Sequence, residues 1–184
     1  MTILGIPGSL RVGSYNRALL RAAEELAPDG WSFETFEIRE LPHYDGDVEA
    51  EGEPEPVAAF KDAIRRADAL VIATPEYNRG TPGVLKNAID WASRPPLGSP
   101  LAGKPVALMG ASTGMGGTER AQAQLREALA FPRARVVEEA VLVPEAYMKF
   151  SEGRLVDEPA RAAIRRLLGA LAETAGAADE RRAA

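Results

Sequence analysis

Short apolar runs alternate strictly with longer segments of helical period along this chain, and that pattern limits the folds open to it. Residues 2–7, 31–38, 69–74, 105–110 and 135–143 read as strands. Residues 17–27, 57–67, 83–92, 118–130 and 159–172 read as helices. In the helices the apolar residues recur three and four apart: Leu85, Ala88, Ile89 and Ala92 share one face, and Ile164, Leu167, Leu168 and Leu171 another. Five strands and five helices in alternation predict a parallel sheet covered by helices on both sides. The runs ALVIAT (69–74) and PVALMG (105–110) are almost wholly apolar, which suits central strands buried on both faces. The stretch 41–56 is rich in Asp, Glu, Gly and Pro and reads as a long surface loop. Residues 175–184 read as a fraying, disordered tail behind a single domain at 1–174.

Composition removes several chemistries. The 184 residues contain no Cys, so disulfides, thiolate catalysis and Cys-ligated metals or iron–sulfur clusters are excluded. The single histidine, His43, lies in the acidic loop and reads as a surface residue, which argues against a nucleophilic triad. No His/Asp/Glu group has metal-ligand spacing, and Asp45-Gly46-Asp47 is too short for a calcium loop. The formal charge of −5 gives no electrostatic reason to expect nucleic acid or an anionic membrane as partner. The opening MTILGIPGSLR reads as a strand entering a loop, not as a signal peptide, and no apolar run is long enough to span a bilayer. A cytoplasmic location is the expectation.

In open parallel sheets, ligands bind beyond the carboxyl ends of the strands where the strand order switches. Three loops qualify, and each carries unusual residues. The first is GSLRVGSYN (8–16), between a strand and a helix. Free N–H groups at a helix start attract an anion, Ser9 and Ser14 add hydroxyls, and Arg11 adds a guanidinium suited to phosphate oxygens. Ser14 and Asn16 are equally suited to capping the helix. The loop has neither GxxxxGK[ST] nor GxGxxG, so the usual ATP and dinucleotide sites are not indicated. The second, PEYNRGTPG (75–83), sets an aromatic and an amide at the end of a central strand and could frame a planar ligand. The third, ASTGMGG (111–117), has glycines that could let a flat ring lie against the backbone.

Together the loops resemble those of the NADPH-dependent FMN reductase family, which includes bacterial quinone, chromate and azo-dye reductases. The matching stretches are GSLRVGSYN, PEYNRGTPGVLKNAIDWASR and GASTGMGGTERAQAQLR, in order and over roughly residues 1–145. The resemblance implies a flavodoxin-like three-layer sandwich with a five-stranded parallel sheet in the order 2-1-3-4-5. It implies FMN as cofactor, with Ser9, Arg11, Ser14, Tyr15 and Asn16 at the phosphate and ribityl end. Pro75, Glu76, Tyr77, Asn78 and Arg79 would contact the ring or ribityl chain, and Ser112, Thr113 and Gly116 the ring's other side. NADPH or NADH would donate electrons in a ping-pong cycle. A quinone, free flavin or an azo, nitro or chromate compound would take them, with no catalytic acid or base required. Relatives form homodimers and often homotetramers; Trp91, Tyr147 and Phe150 are the candidate contact residues. Where many relatives have a small or aromatic residue and a serine, this chain has Arg79-Gly80-Thr81. The competing readings are an electron-carrier flavodoxin, against which the modest charge and Arg79 argue, and a binding module for another phosphorylated ligand.

Overall fold

All five expected strands form one sheet. In the computed structural model, which describes residues 1–183, β1 (Thr2–Pro7), β2 (Ser32–Thr35), β3 (Ala69–Ala73), β4 (Pro105–Ala111) and β5 (Arg135–Val143) pair in parallel in the order β2-β1-β3-β4-β5. Every residue of β3 and β4 is buried. The order reverses between β1 and β3, so the crevice predicted for an α/β sheet opens beyond the carboxyl ends of these two strands.

The period-2 alternation of side chains assigns each face its helices. Ile3, Val71, Met109 and Val141 point to one face, where they meet α1 (Tyr15–Glu25) and the last helix. Leu4, Ile6, Leu70, Ile72, Val106 and Leu108 point to the other. That second face is covered by α3 (Glu55–Arg66), α4 (Gly83–Ala92) and α5 (Glu119–Ala130), which follow the short surface helix α2 (Gly46–Glu51). Burying a Leu or Ile side chain contributes about 1.5–3 kcal/mol, so two filled faces leave little freedom in register.

Four local differences from the sequence reading have physical causes. The second strand stops at Thr35, not at Ile38, because it is an edge strand with a mostly exposed face; Ile38 then turns into a 3-10 segment and is buried there. The acidic loop at 41–56 contains α2, started by the Asp45 carboxylate accepting from the Asp47 N–H at 2.9 Å. Between β5 and the last helix lie α6 (Ala146–Lys149) and a small hairpin of β6 (Phe150–Ser151) and β7 (Arg154–Leu155). The last helix, α7, spans Glu158–Ala183 and so includes residues 175–183, read above as a tail. Alanine is the strongest helix former, and Ala175 is buried. Ala184 lies outside the described residues. No helix is long and apolar enough to cross a membrane among the described residues.

Candidate functional site

The first loop leaves β1 at Gly8, whose N–H donates to the Ala73 carbonyl of β3 at 2.8 Å. A Cβ on Gly8 would lie 2.9 Å from the end of the Leu85 side chain and 3.3 Å from the Ala73 carbonyl oxygen, so the loop turns here in close contact with α4 and β3. Ser9 and Ser14 are buried. Ser14 caps α1: its hydroxyl oxygen accepts from the Asn16 N–H at 3.1 Å. Ser9 Oγ accepts from the Arg11 N–H at 3.4 Å. Two cations hold the loop from outside. Arg17 donates from Nε to the Arg11 carbonyl at 3.1 Å and pairs through both terminal nitrogens with the Glu37 carboxylate. Arg39 donates to the Leu10 carbonyl. The Arg17 hydrogen bonds hold the Glu37 carboxyl below its usual range, and partial burial opposes them. The Arg11 guanidinium is exposed and makes no ion pair among the described residues. Among the described residues, nothing accepts from the N–H groups of Val12, Gly13 or Tyr15.

The second loop is a tight turn. Tyr77 and Gly80 exchange backbone hydrogen bonds of 3.0 Å, with Asn78 at φ 50° and Arg79 at φ 63° between them. Two consecutive left-handed residues make a type I′ turn. Its side chains lean on α5. One Glu76 carboxylate oxygen accepts from the N–H groups of Arg120 (3.0 Å) and Ala121 (3.1 Å), satisfying two donors at the start of that helix. The Thr81 N–H donates to Gln124 Oε1 at 3.0 Å and its hydroxyl to the Ala121 carbonyl at 3.0 Å.

In the third loop the Ser112 N–H donates to the Val143 carbonyl at 3.0 Å, and Ser112 Oγ accepts from the Gly114 N–H at 3.0 Å. Gly110, just before it, has no room for a side chain: a Cβ would stand 2.0 Å from Thr118 Oγ1 and 2.4 Å from the Thr74 carbonyl oxygen. Thr113, Gly114, Met115 and Gly116 are exposed. Asn16 ties this loop to the first. Its Nδ2 donates to the Ala111 carbonyl at 2.9 Å, and its Oδ1 accepts from the Ala111 N–H at 2.8 Å.

The three loops therefore lie together as a rim across the ends of β1, β3 and β4: Asn16 ties the first to Ala111 at the start of the third, and Glu76 and Thr81 tie the second to α5, the helix that follows the third. Two of the thirteen candidate residues, however, spend their polar side-chain atoms on distant parts of the chain. Asn16 is 2% exposed and serves the Ala111 backbone, and the Glu76 carboxylate serves α5. Tyr15 packs its ring on Phe150 with centroids 5.0 Å apart. Ser9, Ser14, Arg11, Tyr77, Asn78, Arg79, Ser112, Thr113 and Gly116 are on the loops, and Pro75 is buried at the root of the second. Backbone N–H groups of Asn78, Arg79, Thr113, Met115 and Gly116 have no acceptor among the described residues. An anion-binding end with hydroxyls and a free guanidinium, next to a corner lined by unpaired N–H donors, fits a phosphorylated ligand with a planar, acceptor-rich ring. FMN has both parts, and the donor set fits it.

The LKN–IDW segment of α4 is structural. Asn87 Nδ2 and Trp91 Nε1 both donate to the Pro42 carbonyl at 2.8 Å, and Asn87 Oδ1 accepts from the Tyr44 N–H at 2.7 Å. Trp91 is 0% exposed, which removes it from the candidate contact residues. Tyr147, at 57%, is open to solvent, and Phe150 is half-buried under Tyr15. Sequence reasoning missed Arg17, Glu37 and Arg39, which support the first loop, and Gln124, which supports the second, because the pairs Arg17–Glu37, Arg39–Leu10 and Gln124–Thr81 join distant parts of the chain. A separate hollow of about 430 Å³ lies at the opposite, amino end of the sheet. Its charged groups already serve the fold: Asp68 accepts from the Thr2 N–H at 2.7 Å, Lys104 donates to the Ala67 carbonyl, and Arg65 pairs with Asp62.

The chain is similar to known oxidoreductases. A family model described as NADPH-dependent FMN reductase matches residues 1–148. An NAD(P)H-dependent FMN reductase of Pseudomonas aeruginosa is 50% identical over 171 residues, 92% of this chain and 92% of that protein. A quinone reductase of Pseudomonas putida is 46% identical over 143 residues, 78% of this chain and 75% of that protein. Among solved structures, the flavoenzyme NAD(P)H:(acceptor) oxidoreductase FerB from Paracoccus denitrificans superposes with a TM-score of 0.84 at 36% identity, covering 95% of this chain and 97% of that one.

Proposed function

The chain belongs to the NADPH-dependent FMN reductase family, and from that premise we propose how its residues serve an FMN-dependent transfer of electrons from NAD(P)H to a small acceptor. FMN, when bound, supplies the redox chemistry, taking hydride from a nicotinamide and passing electrons on. The protein binds and orients. The Ser9 and Ser14 hydroxyls, the Arg11 guanidinium and the N–H groups of Val12, Gly13 and Tyr15 would hold the phosphate. Backbone N–H groups of Asn78, Arg79, Thr113 and Gly116 would meet the ring's acceptor atoms, with Tyr77 and Ser112 beside them. Pro75 stiffens the root of the second loop. Asn16 and Glu76 act one step back, by fixing the third loop and α5. No side chain acts as catalytic acid or base.

Quinones are the acceptor class this reading favours, because a relative at 46% identity is named a quinone reductase. The donor leaves before the acceptor enters, in a ping-pong cycle. We place the protein in the cytoplasm as a homodimer or homotetramer, with exposed Tyr147 a contact residue.

The observation that carries this reading is the gathering of the three loops at the switch point, the first tied to the third by Asn16 and the second to α5 by Glu76, with exposed Arg11 and N–H donors unpaired among the described residues on them. The test is a visible spectrum of the FMN-loaded protein through one reaction cycle. The reading expects a yellow protein that NADPH or NADH bleaches and a quinone recolours. A yellow protein that neither nucleotide bleaches would be an electron carrier instead.

A further inference from the structure

FMN carries one phosphate monoester, and the first loop already has the groups to hold it. Two other arginines at the rim have no counter-ion among the described residues. Arg79 stands at the tip of the second loop and Arg120 in the first turn of α5. Both are exposed, and neither guanidinium makes a hydrogen bond or ion pair among the described residues. The two belong to one corner. Glu76, three residues before Arg79, accepts from the Arg120 N–H, and a Cβ on Gly80 would be 2.9 Å from Gln124 Oε1, one turn along from Arg120.

Arg79 is also held at φ 63°, a left-handed conformation that glycine adopts without cost and other residues pay about 1–2 kcal/mol to adopt. A strained arginine at a turn tip is a reason to look for function in its side chain. Of the corner's carboxylates, Glu76 is turned onto the helix N–H groups, and Glu119 is exposed beside Arg120 without an ion pair. Two unpaired guanidiniums match the charge of a phosphate monoester.

Resting on the reading of this chain as an NAD(P)H oxidoreductase, we propose that Arg79 and Arg120 form the subsite for the 2′-phosphate of NADPH and so select NADPH over NADH. NADH has a hydroxyl at that position and offers the pair no charge.

The test compares wild-type protein with Arg79→Gly and Arg120→Ala, all loaded with FMN. Glycine keeps the left-handed turn, and alanine suits the first turn of a helix, so neither change threatens the fold. The wild type is expected to favour NADPH in kcat/KM. Each substitution is expected to lower the NADPH-to-NADH ratio of kcat/KM by about ten- to hundredfold, the size of a lost hydrogen bond to a charged group. Calorimetric affinity for adenosine 2′,5′-bisphosphate should fall by a similar factor. Oxidation of both nucleotides with a ratio that neither substitution moves, or a wild type that favours NADH, would overturn the subsite and leave the oxidoreductase reading standing. A protein that binds FMN and oxidises neither nucleotide would overturn both.

Discussion

Asn16 spends its amide on the backbone of Ala111, 95 residues further along the chain. A buried amide in this position needs both an acceptor and a donor. Asn16→Asp removes the donor and sets a carboxylate against the Ala111 carbonyl, so a loss of about 1–3 kcal/mol is expected in urea unfolding. FMN affinity should drop with it, because the third loop loses its anchor. Glu76 differs, because its two contacts need only acceptor oxygens. Glu76→Gln should therefore stay within about 0.5 kcal/mol of wild type and Glu76→Ala should lose about 1 kcal/mol, the usual cost of removing a helix cap; thermal unfolding of the two variants checks this. Sequence pattern could nominate both residues as polar groups in ligand loops. It could not show that their partners are backbone groups at the end of β4 and the start of α5, because nothing local in the chain encodes a contact with so distant a segment.

At the level of elements, the sheet and its covering helices were legible because burial on two faces leaves a strong apolar period, and β5 and α4 form over the residues read for them. Helix α2 was not, since none of its residues is buried and it therefore has no apolar stripe to read. The hairpin of β6 and β7 was missed because its paired segments are too short to show a period. Gly110 joins β4 to the third loop where the Thr74 carbonyl and Thr118 leave no space. Gly110→Ala should cost several kcal/mol, about the upper range for overpacking, and yield little soluble protein on expression. The pairing of Arg17 with Glu37 ties α1 to the segment after β2 and supports the phosphate loop. Glu37's folded pKa is depressed, so its contribution is present above the ordinary carboxyl value near about 4.3 and is lost as pH falls through the lower folded value. Wild type should thus melt higher than Glu37→Gln near neutral pH, and the gap should close below about pH 4. A gap that stays constant across thermal melts in this range would contradict the assignment.

Across the whole molecule, two filled core faces hold a rigid sheet, and the chain's function-bearing loops gather at one end of it. The family and its flavin chemistry were legible because the motifs of all three loops are contiguous stretches of sequence. The division of labour between them was not, because it depends on which donors are left unpaired among the described residues: Val12, Gly13 and Tyr15 at one end of the rim, Asn78 and Gly116 at the other. The role proposed for the first loop is to hold the FMN phosphate. Titration of the apoprotein with FMN and with riboflavin, followed by quenching of flavin fluorescence, tests it most directly. Riboflavin has the same ring and no phosphate. FMN should bind saturably and riboflavin at least about a hundredfold more weakly, since several charge-assisted hydrogen bonds are lost. Equal affinity for the two flavins, or no binding of either, would contradict it.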